Sequence, residues 1–247
     1  MSNIIKAEAE EWALVGGRDD KEIVELARQN FQGQEVSAFH LERISVPTGG
    51  ATKWTVETAD GSELHDAVRG VILHAYDTRS YWIGSEEEGG GGLSNSPPDC
   101  SSIDCVTAEG RIESDEPPMS RICGNCRMAA WGSGRGGSGK ACKMKKRVFL
   151  LTPESVHPIP VAMFLPPTSL KAFTQYTLRL SRLGLPAWGV VTEFTLTADK
   201  DASGNPFARV TPKNVGRVPD RIRDLCKDLR AEMMDVFMAS HDSNGHD

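Results

Sequence analysis

Residues 123–147 read CGNCRMAAWGSGRGGSGKACKMKKR. Cys123 and Cys126 flank a two-residue turn that Gly124 loosens, so both thiolates can reach one metal ion. Cys142 lies further along the same stretch, and Cys100 precedes it in Pro97-Pro-Asp-Cys100. The cysteine block therefore spans residues 97–147 and interrupts a run of strand-like sequence. Zinc takes four such ligands tetrahedrally and keeps them deprotonated. The spacing points to one structural Zn2+ held by Cys100, Cys123, Cys126 and Cys142, with Cys105 as the alternative to Cys100. An iron–sulfur cluster takes the same four thiolates, and a redox CxxC pair or unligated thiols complete the alternatives. A disulfide framework needs an oxidising compartment, to which nothing in the sequence points.

Gly134-Arg-Gly-Gly-Ser-Gly139-Lys140 has the spacing of a phosphate-binding loop. Ala141 and Cys142 stand where that motif needs Ser or Thr for Mg2+, and no strand leads into it. The reading is a mobile basic loop beside the metal.

Working outward, the 247-residue chain is long enough for one large domain or two small ones, and 39% apolar residues can build a real core. No run reaches the ~18 apolar residues of a membrane helix, and the first residues do not resemble a signal peptide. A cytosolic protein with reduced cysteines is expected. The net charge of −6 is unevenly spread. From Ser120 to Arg147 the charged residues are Arg121, Arg127, Arg135, Lys140, Lys143, Lys145, Lys146 and Arg147, with no carboxylate. Carboxylates collect at Glu8–Glu11, Glu86–Glu88 and Glu113–Glu116. A local field of this kind, rather than net charge, steers a polyanion. Cations beside a tetrathiolate centre also offset its excess negative charge, but the run exceeds that need.

The sequence predicts a weakly ordered start and a short helix over Lys21–Gln29. Strands are expected over Phe39–Val46, Thr52–Thr58 and Val68–Ile83, with a turn at Asp60-Gly61 and a bulge or bend at Gly70. Glu86–Gly92 reads as a flexible linker. After the block come strands over Lys146–Leu151 and Pro160–Leu165. A helix over Leu170–Leu183 follows, N-capped by Thr168 or Ser169 and stopped by Gly184 and Pro186. Trp188–Thr197 and Phe207–Val215 read as a hairpin. A last helix runs from Asp220 to about Met238, with Ile222, Leu225, Leu229, Met233 and Phe237 in a stripe and Cys226 beside it as a core thiol. The tail from His241 is expected to be disordered.

The expected class is mainly β with helices: an OB-fold-like barrel over residues 35–218 with the zinc-binding loop subdomain inserted at 97–147. Residues 1–34 form an N-terminal segment, and 219–247 hold the C-terminal helix and tail. OB barrels place a helix before the closing strands and bind single strands through a basic groove with exposed rings. The candidate rings are Trp54, Tyr76, Tyr81, Trp82 and Trp131. The candidate phosphate contacts are Arg135, Lys140, Lys143, Lys145, Lys146 and Arg147. Trp131, in a loop between the thiolate pair and the glycines, is the ring worst placed for a core.

Pro97-Pro-Asp-Cys-Ser-Ser102, Cys123-x-x-Cys126, Trp131-Gly-Ser-Gly134 and Gly139-Lys-Ala-Cys142 together resemble a block of bacteriophage and prophage proteins. Those are similar in layout to the zinc-bearing phage single-stranded DNA-binding proteins of the T-even helix-destabilising kind. The resemblance implies a protein of the bacterial host cytoplasm that coats single-stranded DNA in replication or recombination, alongside proteins of those processes. The T-even proteins mix His with Cys at the metal and end in a strongly acidic tail. This chain offers only cysteines and a weakly acidic tail (Asp242, Asp247), so the resemblance does not carry partner recruitment by the tail.

No catalytic residues are expected. A catalytic zinc keeps an open position near a Glu, and the His-x-Glu of zinc deaminases is absent. Asp99 and Asp104 are the candidate pair for a nuclease reading. A zinc-stabilised protein-binding or regulatory module is the third class.

Overall fold

The computed structural model describes residues 29–30, 41–58, 61–83, 98–108, 121–137, 139–153, 159–201, 204–232 and 234. The expectations for the N-terminal segment, the acidic linker and the tail lie outside these residues, apart from Gln29 and Asn30, which are helical. The described chain is mainly β with two helices. None of its helices is long and apolar enough to cross a membrane.

The strands are β1 (Arg43–Ser45), β2 (Trp54–Thr58), β3 (Gly61–His65), β4 (Ala67–Tyr81), β5 (Cys100–Ser102), β6 (Lys143–Leu151), β7 (Val161–Leu165), β8 (Val190–Lys200) and β9 (Pro206–Arg217). The helices are α1 (Pro167–Arg182) and α2 (Asp220–Glu232). The chain divides into two compact units. One holds the described residues up to Ala75 and those from Val148 onward; the other holds those from Tyr76 to Arg147. The boundary falls within β4 and within β6, so the second unit starts well before Pro97.

In the first unit the strand order is β3-β2-β1-β7-β6-β4-β8-β9. The β1–β7 pair is parallel, while β1–β2, β2–β3, β4–β8 and β8–β9 are antiparallel. Burial follows place in that order. β6 lies between β7 and β4, and Val148, Phe149, Leu150 and Leu151 are all fully buried, as expected for a strand covered on both faces. β9 ends the order and alternates, with Ala208, Val210 and Pro212 buried and their neighbours more open. β3, at the other end, is exposed throughout. Its sequence, Gly-Ser-Glu-Leu-His, has no apolar alternation, which is why only its turn was legible.

Gly70 is explained by a close approach rather than a bulge. A Cβ there would meet the Leu151 carbonyl oxygen at 2.9 Å, while the pairing Gly70↔Thr192 continues the β4–β8 register. Trp54 is fully buried and its Nε1 donates to the Phe194 carbonyl at 3.1 Å. This corrects its place among the candidate rings: an indole with both its faces and its N–H committed to the core cannot stack a base.

α1 places Phe173, Tyr176 and Leu180 on one buried face, at helical spacing, against the strand core. Its N-cap is Pro166, with no side-chain cap. Ser169 is already inside the helix, where its hydroxyl accepts the Val210 N–H at 3.0 Å, tying the first turn to β9. Tertiary pairing thus claimed the hydroxyl that local capping would have used. The C-terminal stop is as read: Gly184 takes φ +65°, and the Leu185 N–H reaches back to the Leu180 carbonyl. Trp188 falls in a 3-10 turn, Ala187–Gly189, ahead of β8. In α2, Ile222, Cys226 and Leu229 are the buried residues, so Cys226 is the core thiol expected, and burial pushes its pKa up to about 12.

Candidate functional site

The second unit is built from turns pinned by backbone hydrogen bonds. Cys100 opens β5 and pairs with Tyr81 at the end of β4. Cys123-Gly-Asn forms a 3-10 turn that Cys126 closes by donating to the Cys123 carbonyl at 3.3 Å. Cys123 itself is held from behind, its N–H on the Val106 carbonyl at 2.8 Å. The Cys142 N–H donates to the Met128 carbonyl at 2.8 Å, which returns the chain to the knuckle. Cys100 and Cys142, distant in sequence, thus meet the Cys123–Cys126 pair.

Cys100, Cys123, Cys126 and Cys142 line one cavity of about 10 Å³, together with Arg79 and short residues such as Ser102 and Ala129. That is about the volume of a single water-sized probe, so the space suits one ion or one water. All six cysteines are free thiols. Burial pushes Cys100 up to about 11, reinforced by the nearby charges of Cys142, Cys123, Cys126 and Asp99. Burial also lifts Cys142 to about 11, with Arg79 acting against it and Cys123 and Cys126 adding to it. The four sulfurs lie within electrostatic reach of one another. A divalent cation among them would invert that balance and favour the thiolates. As placed, no three Cys, His, Asp or Glu side chains among the described residues form a preset coordinating group. The fit to zinc therefore rests on the donor set and its shared cavity.

Cys105 is not on the cavity wall. It takes φ +60°, an uncommon conformation for a residue with a Cβ. Asp104 shapes this turn, its Oδ1 accepting from Ser102 Oγ and from the N–H groups of Val106 and Thr107. Asp99 Oδ2 accepts the Ile83 N–H at 2.8 Å. Both carboxylates of the nuclease reading are thus bonded to backbone.

The glycine loop is ordered where described. The Gly132 N–H donates to the Gly139 carbonyl, and Ser133 Oγ bridges the Met128 and Ala130 carbonyls and the Ala141 N–H. The Gly132–Gly139 bond brings together the backbone segments that carry Trp131 and Lys140. Trp131 is 81% exposed.

The other predicted contacts separate into engaged and available groups. Tyr81 is buried and packs with Ala141 and Cys142, so it is core rather than platform. Arg147 is 4% exposed, donating to Tyr76 Oη at 3.0 Å; it is a structural cation and not a surface phosphate contact. Lys146 pairs with Asp77 at 2.7 Å. Lys145 lies over the Trp82 ring, 5.0 Å from its centroid, and burial lowers its pKa. Lys140 and Lys143 are half-buried and, among the described residues, have no ion pair; the same holds for the exposed Arg121 and Arg127. Arg135 falls in a 3-10 turn, and its side chain lies outside the described residues.

Arg79 was missed in the sequence. It shares a strand face with Tyr81 by the two-residue period of β4, but nothing local distinguishes an arginine facing thiols from one facing solvent.

No protein-family model, curated protein or solved structure matches the chain.

Proposed function

We propose that the protein binds single-stranded DNA without sequence preference and coats it during phage-type replication or recombination, with one structural zinc ordering the second unit. The observation that carries this reading is Trp131, an exposed ring on a hydrogen-bonded loop whose other arm carries Lys140. An exposed ring next to a cation is the elementary unit of single-strand recognition: the ring stacks a base and the cation meets a phosphate. Lys143, Arg121 and Arg127 extend the cationic surface, and Trp82 offers a second ring already partnered by Lys145. Zinc would be held by Cys100, Cys123, Cys126 and Cys142 and would supply structure rather than catalysis. The OB-like layout is part of this proposal, supported by the position of α1 between β7 and the β8–β9 hairpin; strands beyond a five-stranded barrel are additions to it.

The test is a fluorescence titration with a single-stranded oligonucleotide and its duplex, alongside elemental analysis. Single strand should bind more tightly, with a log–log salt slope of about −0.7 per phosphate contact. Trp131→Ala should cost about 1–3 kcal/mol of binding, and Lys140→Ala with Lys143→Ala should flatten the slope. Equal affinity for duplex, with no response to Trp131→Ala, would reject the proposal.

A second reading, a zinc-stabilised protein-binding module, is favoured by Val106 and Ile122. They flank a backbone bond on neighbouring strands of chain and are 60% and 55% exposed. Binding of protein rather than DNA, lost in Ile122→Asp, would establish it.

A further inference from the structure

We infer that Arg79 is a positioning residue of the four-cysteine centre, donating N–H hydrogen bonds to the thiolate of Cys142 and fixing that ligand's orientation and basicity. The inference rests on the zinc reading above and goes beyond it by adding a cation to the ligand set.

Arg79 lies on β4 opposite Ser102 and lines the same cavity as the four cysteines. Its Nε and Nη1 are buried and have no hydrogen-bond partner. A buried guanidinium N–H left unpaired is strongly unfavourable, so the protein must satisfy it in its working state. The described carboxylates of this unit are engaged elsewhere: Asp77 with Lys146, Asp99 with the Ile83 amide, Asp104 with the Val106 and Thr107 amides. What faces Arg79 instead is sulfur. Its charge and its N–H groups act on both Cys142 and Cys105, and of the two only Cys142 lines the cavity with the other three cysteines.

A neutral thiol is a poor acceptor, whereas a metal-bound thiolate is a good one. Loading the centre with a divalent cation therefore gives the orphaned donors their acceptor. It also sets one positive charge against a centre that four thiolates leave doubly negative. Groups that hold a ligand from behind in this way typically change metal affinity by about 10–100-fold when removed.

The experiment compares wild type, Arg79→Met and Arg79→Lys in the full chain, loaded with Zn2+ or Co2+. Wild type should bind one metal ion, and its cobalt form should show a thiolate-to-metal charge-transfer band. Arg79→Met keeps the bulk but removes the donors. It should weaken zinc binding by about 10–100-fold in a chelator competition and move the band to lower energy, because an unbonded thiolate gives up its electron more easily. Arg79→Lys, which retains charge without the planar fork, should fall between the two. Cys105→Ser should leave the band unmoved. Arg79→Met equal to wild type in affinity and band, or lowering thermal stability alone, overturns the assignment while the zinc reading stands. A band shift in Cys105→Ser reassigns the donor to the wrong sulfur and overturns it equally. A wild-type chain that binds no metal removes the centre and this role with it.

Discussion

The two units reach order by different physics. The first buries a continuous apolar cluster that includes Trp54, Phe173 and Phe194 along with aliphatic residues from Ile44 to Val210. Fully burying one such side chain contributes about 1.5–3 kcal/mol, so the sum can offset the entropy of ordering the strands. Among the described residues the second unit has a cluster of Tyr81, Ala141 and Cys142, joined at its edge by Cys100, Met128 and Ala129. Its other ties are polar: backbone bonds in turns, side-chain bonds of Asp99, Asp104 and Ser133, the Lys146–Asp77 pair and Arg147 on Tyr76. A core that small does not hold a fold unaided, and small units of this kind are usually stapled by disulfides or a metal. Free thiols lining one cavity are where the proposed zinc would act as that staple. On that proposal one unit is specified by shape and apolar area, the other by donor atoms.

The largest test separates those two specifications. Cys123→Ser should abolish zinc binding, whose free energy in structural sites is on the order of 10 kcal/mol or more. In hydrogen exchange the amides of Cys126, Ala129 and Cys142 should lose protection while those of β8 and β9 keep theirs. Retained protection at Cys142 in the metal-free variant would break the contrast.

The converse substitution is Phe194→Ala, at a fully buried side chain in the first cluster. It should lower unfolding free energy by about 3–5 kcal/mol in denaturant titration, with zinc content unchanged. Zinc lost in proportion to that stability would mean the second unit depends on apolar packing after all.

Smaller effects sharpen how the first unit is locked. Ser169→Ala leaves the Val210 N–H without its acceptor and should cost about 1–3 kcal/mol; an unchanged denaturation midpoint would remove this tie from the account. Smallest is a pH effect in the second unit. The amides of Thr107 and Val106 hold the Asp104 carboxyl below its usual range. A depressed folded pKa gives stability that is present above the ordinary carboxylate pKa and lost as pH falls through the folded value. Protection of the Val106 amide should therefore persist in mild acid and fade only in strong acid, below the ordinary carboxylate pKa, and Asp104→Asn should remove that dependence.

Legibility followed the same division. The strands β1, β2, β4, β6, β7, β8 and β9 and both helices were readable because apolar periodicity, glycine stops and β-branched runs are local signals. The four cysteines were grouped in the sequence by ligand type and spacing, and they line one cavity; that they hold a metal is the proposal. β3 was not, since an edge strand with no buried face carries no periodicity.

By itself, then, the sequence determined the mainly β class, the stop of α1 at Gly184, the core thiol Cys226 and the candidate ligands. Those properties depend on side-chain chemistry and short-range geometry. Only the tertiary structure decided which members of the basic and aromatic sets are spent inside: Trp54 on the Phe194 carbonyl, Arg147 on Tyr76, Lys146 on Asp77, Tyr81 on Cys142. It also decided that Ser169 serves β9 instead of its own helix end, and that Arg79 faces sulfur. A residue's type fixes which bonds it can make; which one it makes depends on what the rest of the chain brings within about 3 Å of it.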